Sequence, residues 1–294
     1  MDKYKFCIWL VDSLLRKSLS FEEIQTKWET SSDNDNNKEL SGRSFIRYRR
    51  EAEMLFYVQI KYEKRLGKYS LVGRENIQHE KLLSWILATY RLSNVSLDIK
   101  QRSVIQLESP APKSEYLEII LEAIENKSML HLTYKSHYKD PEDLDFYPVF
   151  VRLCQQRWYV IGINLKKNSV RVYAFERISN LTIQRYSGKQ ISHSIEPDDY
   201  FSYSYGIIND QEPQLIQIRA FWPQNLYLKD VPLHSSQQIL IETEDFTDFE
   251  LFVRPTYDFI QALLSQREQV KVLEPPSFVK DMREVIAKMA ANYR

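Results

Sequence analysis

The spacing of apolar residues changes several times along this chain of 294 residues, and this change constrains the fold more than any other feature. Apolar side chains recur at helical spacing over residues 3–16, and Ser20 with Glu23 forms a capping box that begins a second helix. A third helix is predicted after Ser41. Two short alternating runs follow, joined by a turn that contains Gly67. Three helices and a hairpin in this order predict a winged helix-turn-helix.

A segment before the third helix is entirely polar, whereas the helix itself is amphipathic. A polar run over residues 30–39 contains no apolar side chain and predicts an exposed loop. The third helix is expected to bury one face, which carries Phe45, Tyr48, Ala52, Leu55 and Phe56. The hairpin is predicted to pair Gln59–Glu63 with Lys68–Val72.

The remainder of the chain alternates between helical and strand patterns. Residues 76–107 look helical, and after a proline-containing break residues 114–126 form a strongly amphipathic helix. Five short alternating runs over residues 129–183 predict the strands of a small β-barrel. Residues 214–294 run strand, helix, strand, strand, helix, strand, helix, an order that suits a compact ferredoxin-like α+β unit.

The fold class that follows is an α+β protein with several domains, and a chain of this length suits two or three hydrophobic cores. The predicted parts are a winged helix-turn-helix over 1–74, a helical linker over 75–112, a small β-barrel over 113–190, a polar linker over 191–213 and a ferredoxin-like α+β domain over 214–294.

Charge is distributed unevenly along the chain. The formal net charge is zero, which argues against a polycation, yet residues 41–74 carry nine basic residues against three acidic ones. Clustered Lys and Arg bind DNA by releasing counterions, and a helix of this length fits the major groove. The alternative is an ordinary solvated helix beside a hairpin. The predicted contacts to a double-stranded DNA operator are Ser41, Arg43, Ser44, Arg47, Tyr48, Arg50, Lys61, Arg65 and Lys68.

Motifs of catalysis and metal binding are missing from the sequence. It contains no Walker A loop, nucleophile elbow, HExxH motif or paired Cys/His cluster, and its five His are scattered. We therefore expect a protein that is not an enzyme and has no catalytic residue, metal site or cofactor.

The cysteines and the N-terminus give an expectation about location. Cys7 and Cys154 each lie in an apolar or strand-like run, so both are expected to be buried free thiols. Residues 1–15 carry several charges, unlike a signal peptide or a membrane span. A cytoplasmic protein without a membrane partner is expected.

A resemblance to a known family rests mainly on residues 155–183. Trp158-Tyr159-Val160 matches the Trp-Tyr-Leu triplet of WYL domains, with Val in the third place. A second motif of the family is matched by Arg171, Tyr173, Phe175, Glu176, Arg177 and Ile178. Tyr134 and Pro148 match upstream positions, and segments 231–237 and 270–293 resemble the C-terminal WCX extension of the family. The chain thus resembles WYL-domain transcriptional regulators over nearly its whole length.

The resemblance implies a fold and a function. It implies a winged-helix regulator with an Sm- or SH3-like barrel that binds a nucleotide or a nucleic-acid fragment as its effector. Repression is the expected direction, and relatives that control anti-phage systems suggest a defence operon as the target. A homodimer is predicted as well, because a single winged helix makes few base contacts and two half-sites are the usual remedy.

Strand alternation predicts a polar patch on the barrel. Arg157 and Tyr159 share one face of their strand, and Trp158 on the opposite face is expected to pack in the core. If the next strand stays regular, Arg171, Tyr173 and Arg177 also share a face.

Such a patch would present guanidinium and phenol groups together, and these groups bind phosphates and stack on bases. The alternative is that the arginines are surface residues paired with Glu176 or other acids. The predicted ligand-binding residues are Tyr134, Ser136, His137, Arg152, Arg157, Tyr159, Arg171, Tyr173 and Arg177.

Two other functions remain open on the sequence alone. An RNA- or single-strand-binding accessory protein that modulates a partner enzyme would use the same arginines. A structural adaptor would instead use its aromatic surfaces for protein contacts and bind no nucleic acid at low salt. A preference for duplex DNA that depends on Arg43 and Arg47 separates the regulator from both.

Overall fold

The computed structural model describes residues 3–34, 38–73, 81–97, 111–185 and 195–294. The chain divides into two compact units, Met1–Glu108 and Ser109–Arg294. Mixed helices and antiparallel sheets make it an α+β protein of several parts, as predicted. No helix among the described residues is long and apolar enough to cross a membrane.

The first unit contains four described helices and one hairpin. In chain order these are α1 (Lys3–Arg16), α2 (Phe21–Glu29), α3 (Gly42–Leu55), β1 (Gln59–Glu63), β2 (Lys68–Val72) and α4 (Lys81–Leu97). The hairpin has the predicted strands, and Gly67 in its turn adopts a φ of +62°, which favours glycine. The predicted helix over 76–107 is described only as α4, and the rest of that prediction lies outside the described residues.

One hydrophobic core joins these elements. Phe6 of α1 packs edge-on against Trp28 of α2 with ring centroids 4.9 Å apart, and Phe45 of α3 is buried beside them. Leu83 and Leu87 of α4 belong to the same core, so the described part of the predicted helical linker packs on the first unit.

The capping box that begins α2 is confirmed. The Ser20 hydroxyl accepts a hydrogen bond from the backbone N–H of Glu23 at 3.2 Å, and the Glu23 carboxylate accepts one from the backbone N–H of Ser20 at 2.7 Å. That backbone hydrogen bond holds the pKa of Glu23 below its usual value. These two bonds satisfy N–H groups that a helix start leaves unpaired.

Two predictions for this unit are wrong. Leu55 is 43% exposed rather than buried, because it lies in the last turn of α3, beyond the residues that face the core. Asp33 and Asn34 are buried, at 8% and 4% exposure, although the polar run was predicted as an exposed loop. Local hydrogen bonds make this burial possible, since the Asn34 amide bonds both backbone groups of Lys38.

The second unit begins with α5 (Tyr116–Glu125) and a five-stranded antiparallel sheet. The strands are β3 (Met129–Tyr134), β4 (Glu142–Cys154), β5 (Arg157–Asn164), β6 (Ser169–Ala174) and β7 (Ile178–Gln184), in the order β6-β5-β4-β3-β7. α5 covers one face, where Ile120 packs over Phe146 and Val160. Pairing of β6 with β7, which would close a barrel, is absent from the ladders of the described residues, so closure remains a prediction.

A second segment packs on the other face of this sheet. Helix α6 (Pro197–Tyr200) leads to Phe201, which is buried with Tyr159 and Ile161 of β5. The region was predicted as a polar linker, and its described part from residue 195 onward is irregular but carries these packing side chains. Both faces of the sheet are therefore covered.

The chain ends in a four-stranded antiparallel sheet with helices. Its elements are β8 (Gln214–Phe221), α7 (Gln224–Asp230), β9 (Gln238–Glu242), β10 (Phe246–Val253), α8 (Tyr257–Ser265), β11 (Val270–Glu274) and α9 (Pro276–Ala291). The strand order is β11-β8-β10-β9, and the chain order of strands and helices is the one predicted from the sequence. Phe259 of α8 and Phe278 of α9 pack over the buried face of the sheet.

One carboxylate connects this part to the segment on the five-stranded sheet. Asp258 of α8 accepts hydrogen bonds from the backbone N–H groups of Ile207 at 2.8 Å and Ile208 at 3.2 Å. Gly206 lies so close that an added Cβ would fall 2.2 Å from the Asp258 carboxylate. The close approach explains why glycine occupies this position.

Candidate nucleic-acid interface and ligand site

Helix α3 begins with a well-formed cap. The Ser41 hydroxyl accepts a hydrogen bond from the backbone N–H of Ser44 at 3.2 Å, and the two hydroxyl oxygens are 3.0 Å apart. Both serines therefore have a structural role at the start of the helix. The free N–H groups of this first turn also suit contact with a phosphate.

The outer face of α3 is basic. Arg43, Arg47 and Arg50 follow each other at helical spacing and are exposed, as predicted. The opposite face buries Phe45 and Ala52 in the core of the first unit. Arg43 and Arg50 make no ion pair with any described residue, so their charges are available to a partner.

The acidic residues of α3 point away from this face. Glu51 pairs with Lys3 of α1 at 3.2 Å. Glu53 accepts a hydrogen bond from the backbone N–H of Ile60 at 2.8 Å and lies 3.9 Å from the guanidinium of Arg49. Contacts with the rest of the unit thus neutralise the acids and leave the outer face positive.

Tyr48 does not belong to the predicted DNA-contacting surface. It is only 8% exposed, and its ring packs against Phe6 with centroids 5.4 Å apart. Its hydroxyl accepts a hydrogen bond from Arg47 at 3.0 Å, and the Arg47 guanidinium lies over the same ring. Helical periodicity places Tyr48 with the core residues, so its role is to support Arg47.

The hairpin carries further positive charge. Lys61 and Arg65 are exposed, and Arg65 lies in the turn between β1 and β2. Lys68 is instead paired with an acid, because its ammonium group lies 3.6 Å from the Glu23 carboxylate of α2. Of the predicted hairpin contacts, Lys61 and Arg65 are thus the two without an ion pair among the described residues.

A second group of predicted residues lies at one end of the five-stranded sheet. Arg157 at the start of β5 forms an ion pair with Glu176, and its guanidinium lies over the ring of Tyr159. The hydrogen bond that Arg157 donates to the Glu176 carboxylate raises the pKa of Arg157. The backbone N–H of Lys135 bonds the carbonyl of Arg177 at 3.0 Å, which brings the end of β3 to the same place.

The environment of Tyr159 keeps it neutral. Burial raises the pKa of its hydroxyl, although the charges of Arg157 and Arg177 act in the opposite direction. Tyr134 of β3 instead packs its ring on Tyr173, on the side of the sheet that α5 covers. The structure therefore brings Arg157, Tyr159 and Arg177 together near Glu176, without Tyr134.

The prediction that the arginines and tyrosines of β5 and β6 project from one face of the sheet is wrong. Val160 lies opposite Tyr173 in the strand register, so Tyr173 projects from the Val160 face and not from the Tyr159 face. β6 also ends at Ala174, and a 3-10 turn over Phe175–Arg177 replaces the expected regular strand. Parity within β6 therefore does not extend to Arg177.

Tyr173 lies in the core rather than in a ligand site. Its hydroxyl accepts a hydrogen bond from the buried amide of Asn164 at 2.9 Å, and its ring packs on Tyr134. Burial raises the pKa of this tyrosine, with Asn164 lowering it in part. Asn164 was not singled out from the sequence, since an isolated Asn at a strand end is a common turn residue.

The remaining predicted ligand residues are dispersed. Arg171 is exposed on the edge strand β6. Arg152 lies over the ring of Phe201, on the face of the sheet opposite α5. Ser136 accepts a hydrogen bond from the backbone N–H of Tyr138, as in a local turn, and His137 is exposed beside it. The predicted core role of Trp158 is supported by its stacking on Phe175.

The cysteines agree only in part with the prediction. Cys7 is fully buried, whereas Cys154 is half-buried. Both thiols are free, and burial raises the pKa of each of them, that of Cys7 to about 11. Among the described residues no group of side chains is arranged to hold a metal ion.

Comparison with known proteins gives one domain assignment. Residues 115–183, which run from the end of the turn before α5 into β7, match the family model of the WYL domain. The prediction of a WYL domain is thus confirmed for this part of the chain. The winged helix-turn-helix and the C-terminal extension remain predictions.

Two solved structures are similar to the chain. Proteasome accessory factor B/C (PafBC) of Arthrobacter aurescens is 12% identical with a TM-score of 0.37, and the match covers 96% of this chain and 46% of that protein. A CRISPR Cas-related protein is 12% identical with a TM-score of 0.43, and the match covers 99% of this chain and 92% of that one. The chain therefore spans less than half the length of the first of these proteins. No match was found among curated proteins.

Proposed function

We propose that the protein is a DNA-binding transcriptional regulator whose WYL domain responds to an anionic, nucleotide-like ligand. The observation that carries the proposal is the outer face of α3. Arg43, Arg47 and Arg50 are exposed there, while the acids of the same helix are neutralised inside the unit. We infer that α3 is a recognition helix that enters the major groove.

The hairpin supplies the second contact in this proposal. Arg65 in its turn and Lys61 on β1 are exposed and suit the phosphate backbone beside the groove. A contact of that kind positions the protein without reading sequence. We therefore expect α3 to carry specificity and the hairpin to carry general affinity.

The ligand site is proposed at the end of the sheet where Arg157, Tyr159 and Arg177 lie near Glu176. Guanidinium groups bind phosphates through paired hydrogen bonds. The second oxygen of Glu176 is buried and has no hydrogen-bond partner among the described residues. It suits a ligand that offers N–H donors, such as the amino groups of a nucleobase, and this favours a nucleotide or a short oligonucleotide over simple phosphate.

The regulatory consequences belong to the same proposal. A ligand changes DNA affinity only by binding the DNA-competent and incompetent states differently. We propose a non-catalytic repressor that acts as a homodimer on two half-sites, with a phage-defence operon as its target. Light scattering of the free protein at micromolar concentration tests the dimer. A reporter gene fused to the promoter of the protein's own gene tests repression.

The central test is duplex binding by a variant with Arg43→Ala and Arg47→Ala. The probe is a duplex of the promoter region of its own gene, titrated at two salt concentrations. Each arginine that reads a base contributes about 1–3 kcal/mol, so the double variant should bind at least roughly 30-fold more weakly. A matched variant, Arg283→Ala with Lys288→Ala, removes two exposed charges from α9 and should bind as the wild type does.

The result also distinguishes the alternatives. Wild-type affinity of the Arg43/Arg47 variant for duplex DNA would overturn the proposal. Stronger binding of single-stranded DNA or RNA than of any duplex would indicate the accessory-protein function. A lack of nucleic-acid binding at low salt would indicate the structural adaptor.

A further inference from the structure

A cleft of about 660 Å³ opens in the first unit, and neither proposed site uses it. It lies between the C-terminal half of α1, the end of α2 with the following loop, and α4. Its size falls within the usual range of small-molecule sites, about 300–1,000 Å³. The charged side chains of its wall indicate which ligand chemistry it suits.

The base of the cleft is a carboxylate between two arginines. Asp12 of α1 is only 6% exposed. Its two oxygens accept hydrogen bonds from Arg16 of the same helix at 2.8 Å and from Arg91 of α4 at 2.6 Å. A buried carboxylate requires such partners, so Asp12 fixes the positions of both guanidinium groups.

These two arginines keep donors for another group. Each uses one nitrogen on Asp12, and a guanidinium carries five N–H donors in a rigid fork. One carboxylate between two arginines leaves a net positive charge. Both side chains are also partly exposed, so a ligand in the cleft can reach them.

The other charges of the wall add to this excess. Asp33 is the second acid of the wall, and it is buried with hydrogen bonds from Tyr90 and Ser31. Lys17 and Lys27 are exposed at the cleft and form no ion pair with a described residue. Four cationic side chains therefore face two carboxylates that already have protein partners.

We propose that this cleft binds the phosphate group of a small molecule. Arg16 and Arg91 would hold the phosphate oxygens through charge-assisted hydrogen bonds, and Lys17 and Lys27 would neutralise the remaining charge. Two guanidinium groups held by one buried carboxylate are pre-organised, which lowers the ordering cost of binding. A concave site of this volume suits a phosphorylated small molecule better than the convex backbone of DNA.

The test is calorimetric titration of the full-length protein with inorganic pyrophosphate. The variant with Lys17→Ala and Lys27→Ala changes only exposed side chains and should keep the fold, which a thermal melt checks. We expect its affinity for pyrophosphate to fall at least about tenfold, as for loss of hydrogen bonds to charged groups. Arg91→Gln should weaken binding similarly while Arg16 still pairs with Asp12.

Matched variants separate the cleft from the other basic surfaces. Lys38→Ala removes an exposed charge of the same unit outside the cleft and should leave the affinity unchanged. The same holds for Arg283→Ala with Lys288→Ala, which removes two exposed charges from α9 outside every proposed site.

Three outcomes would overturn the proposal. The first is no detectable heat with pyrophosphate at millimolar concentration. The second is wild-type affinity in both the Lys17/Lys27 variant and Arg91→Gln. The third is loss of duplex DNA binding in the Lys17/Lys27 variant with unchanged pyrophosphate affinity, which would make the lysines a DNA backbone contact.

Discussion

The guanidinium of Arg157 at the start of β5 is paired with the carboxylate of Glu176 in the turn that follows β6. Both residues lie in the stretch 155–183 that carries most of the WYL resemblance, and the pair joins the start of β5 to the end of the neighbouring edge strand β6. An anionic ligand that binds Arg157 must therefore compete with a carboxylate that already occupies it.

Replacing that carboxylate should strengthen ligand binding. In Glu176→Gln the competing charge is lost, and a partly exposed ion pair contributes up to about 1 kcal/mol, so affinity for a short oligonucleotide should rise up to roughly fivefold. Fluorescence titration with a labelled oligonucleotide measures this. Glu142→Gln, which removes a partly exposed acid paired with Lys166 and Lys167, is the control. Unchanged binding in folded Glu176→Gln would place the ligand elsewhere, and weaker binding would show that Glu176 accepts hydrogen bonds from the ligand rather than competing with it.

The hairpin variant Arg65→Ala should weaken DNA binding evenly across sequences. Arg65 lies at an exposed turn, where it can reach the phosphate backbone but reads no base in our proposal. The slope of log affinity against log salt should fall by about 1, because one fewer counterion is released. Titrations of two unrelated duplexes over a range of salt measure this slope. An effect confined to one sequence would instead make Arg65 a base contact.

Tyr173→Phe should lower stability without changing ligand affinity. The substitution leaves the buried amide of Asn164 without its acceptor, which costs about 1–3 kcal/mol. Urea unfolding measures the loss, and Tyr138→Phe, at a tyrosine that is 94% exposed, should unfold as the wild type does. If Tyr173→Phe kept the wild-type urea midpoint but bound the oligonucleotide more weakly, Tyr173 would be a ligand contact.

The Cys7 thiol should resist modification in the native protein. Burial raises its pKa from 9.0 to about 11, so little thiolate forms at pH 8 and reagents cannot reach it. In a Cys154→Ser background, reaction with a disulfide reagent should need urea. Because the folded pKa is above the unfolded one, this group favours the folded state below pH 9 and its contribution is lost as pH rises toward 11. Rapid native labelling at pH 8 would contradict this.

Local signals in the sequence were sufficient for most elements. The hairpin from Gln59 to Val72 was predicted to the residue, because strand alternation and a glycine turn are encoded side by side. The α2 capping box needed only Ser20 and Glu23, three positions apart. The basic outer face of α3 followed from helical spacing in the same way.

Features that depend on distant contacts were not predictable. The pairing of Val160 with Tyr173 is a register between two strands, and alternation within each strand leaves it undetermined. The burial of Asp33 depends on Tyr90, which is 57 residues away along the chain. The 3-10 turn at Phe175–Arg177 interrupts a run whose composition is typical of a strand, so it too was missed.

The two covered faces of the five-stranded sheet restrict how an effector can approach. Helix α5 occupies one face and the segment with Phe201 the other, so a ligand reaches the described sheet at its ends or edges and not across a face. The segment with Phe201 also connects the five-stranded sheet to the C-terminal part of the chain. The Asp258 carboxylate holds the backbone at Ile207 and Ile208, and Tyr205 packs on Phe259, so we expect a tilt of the sheet to move α8 through these contacts.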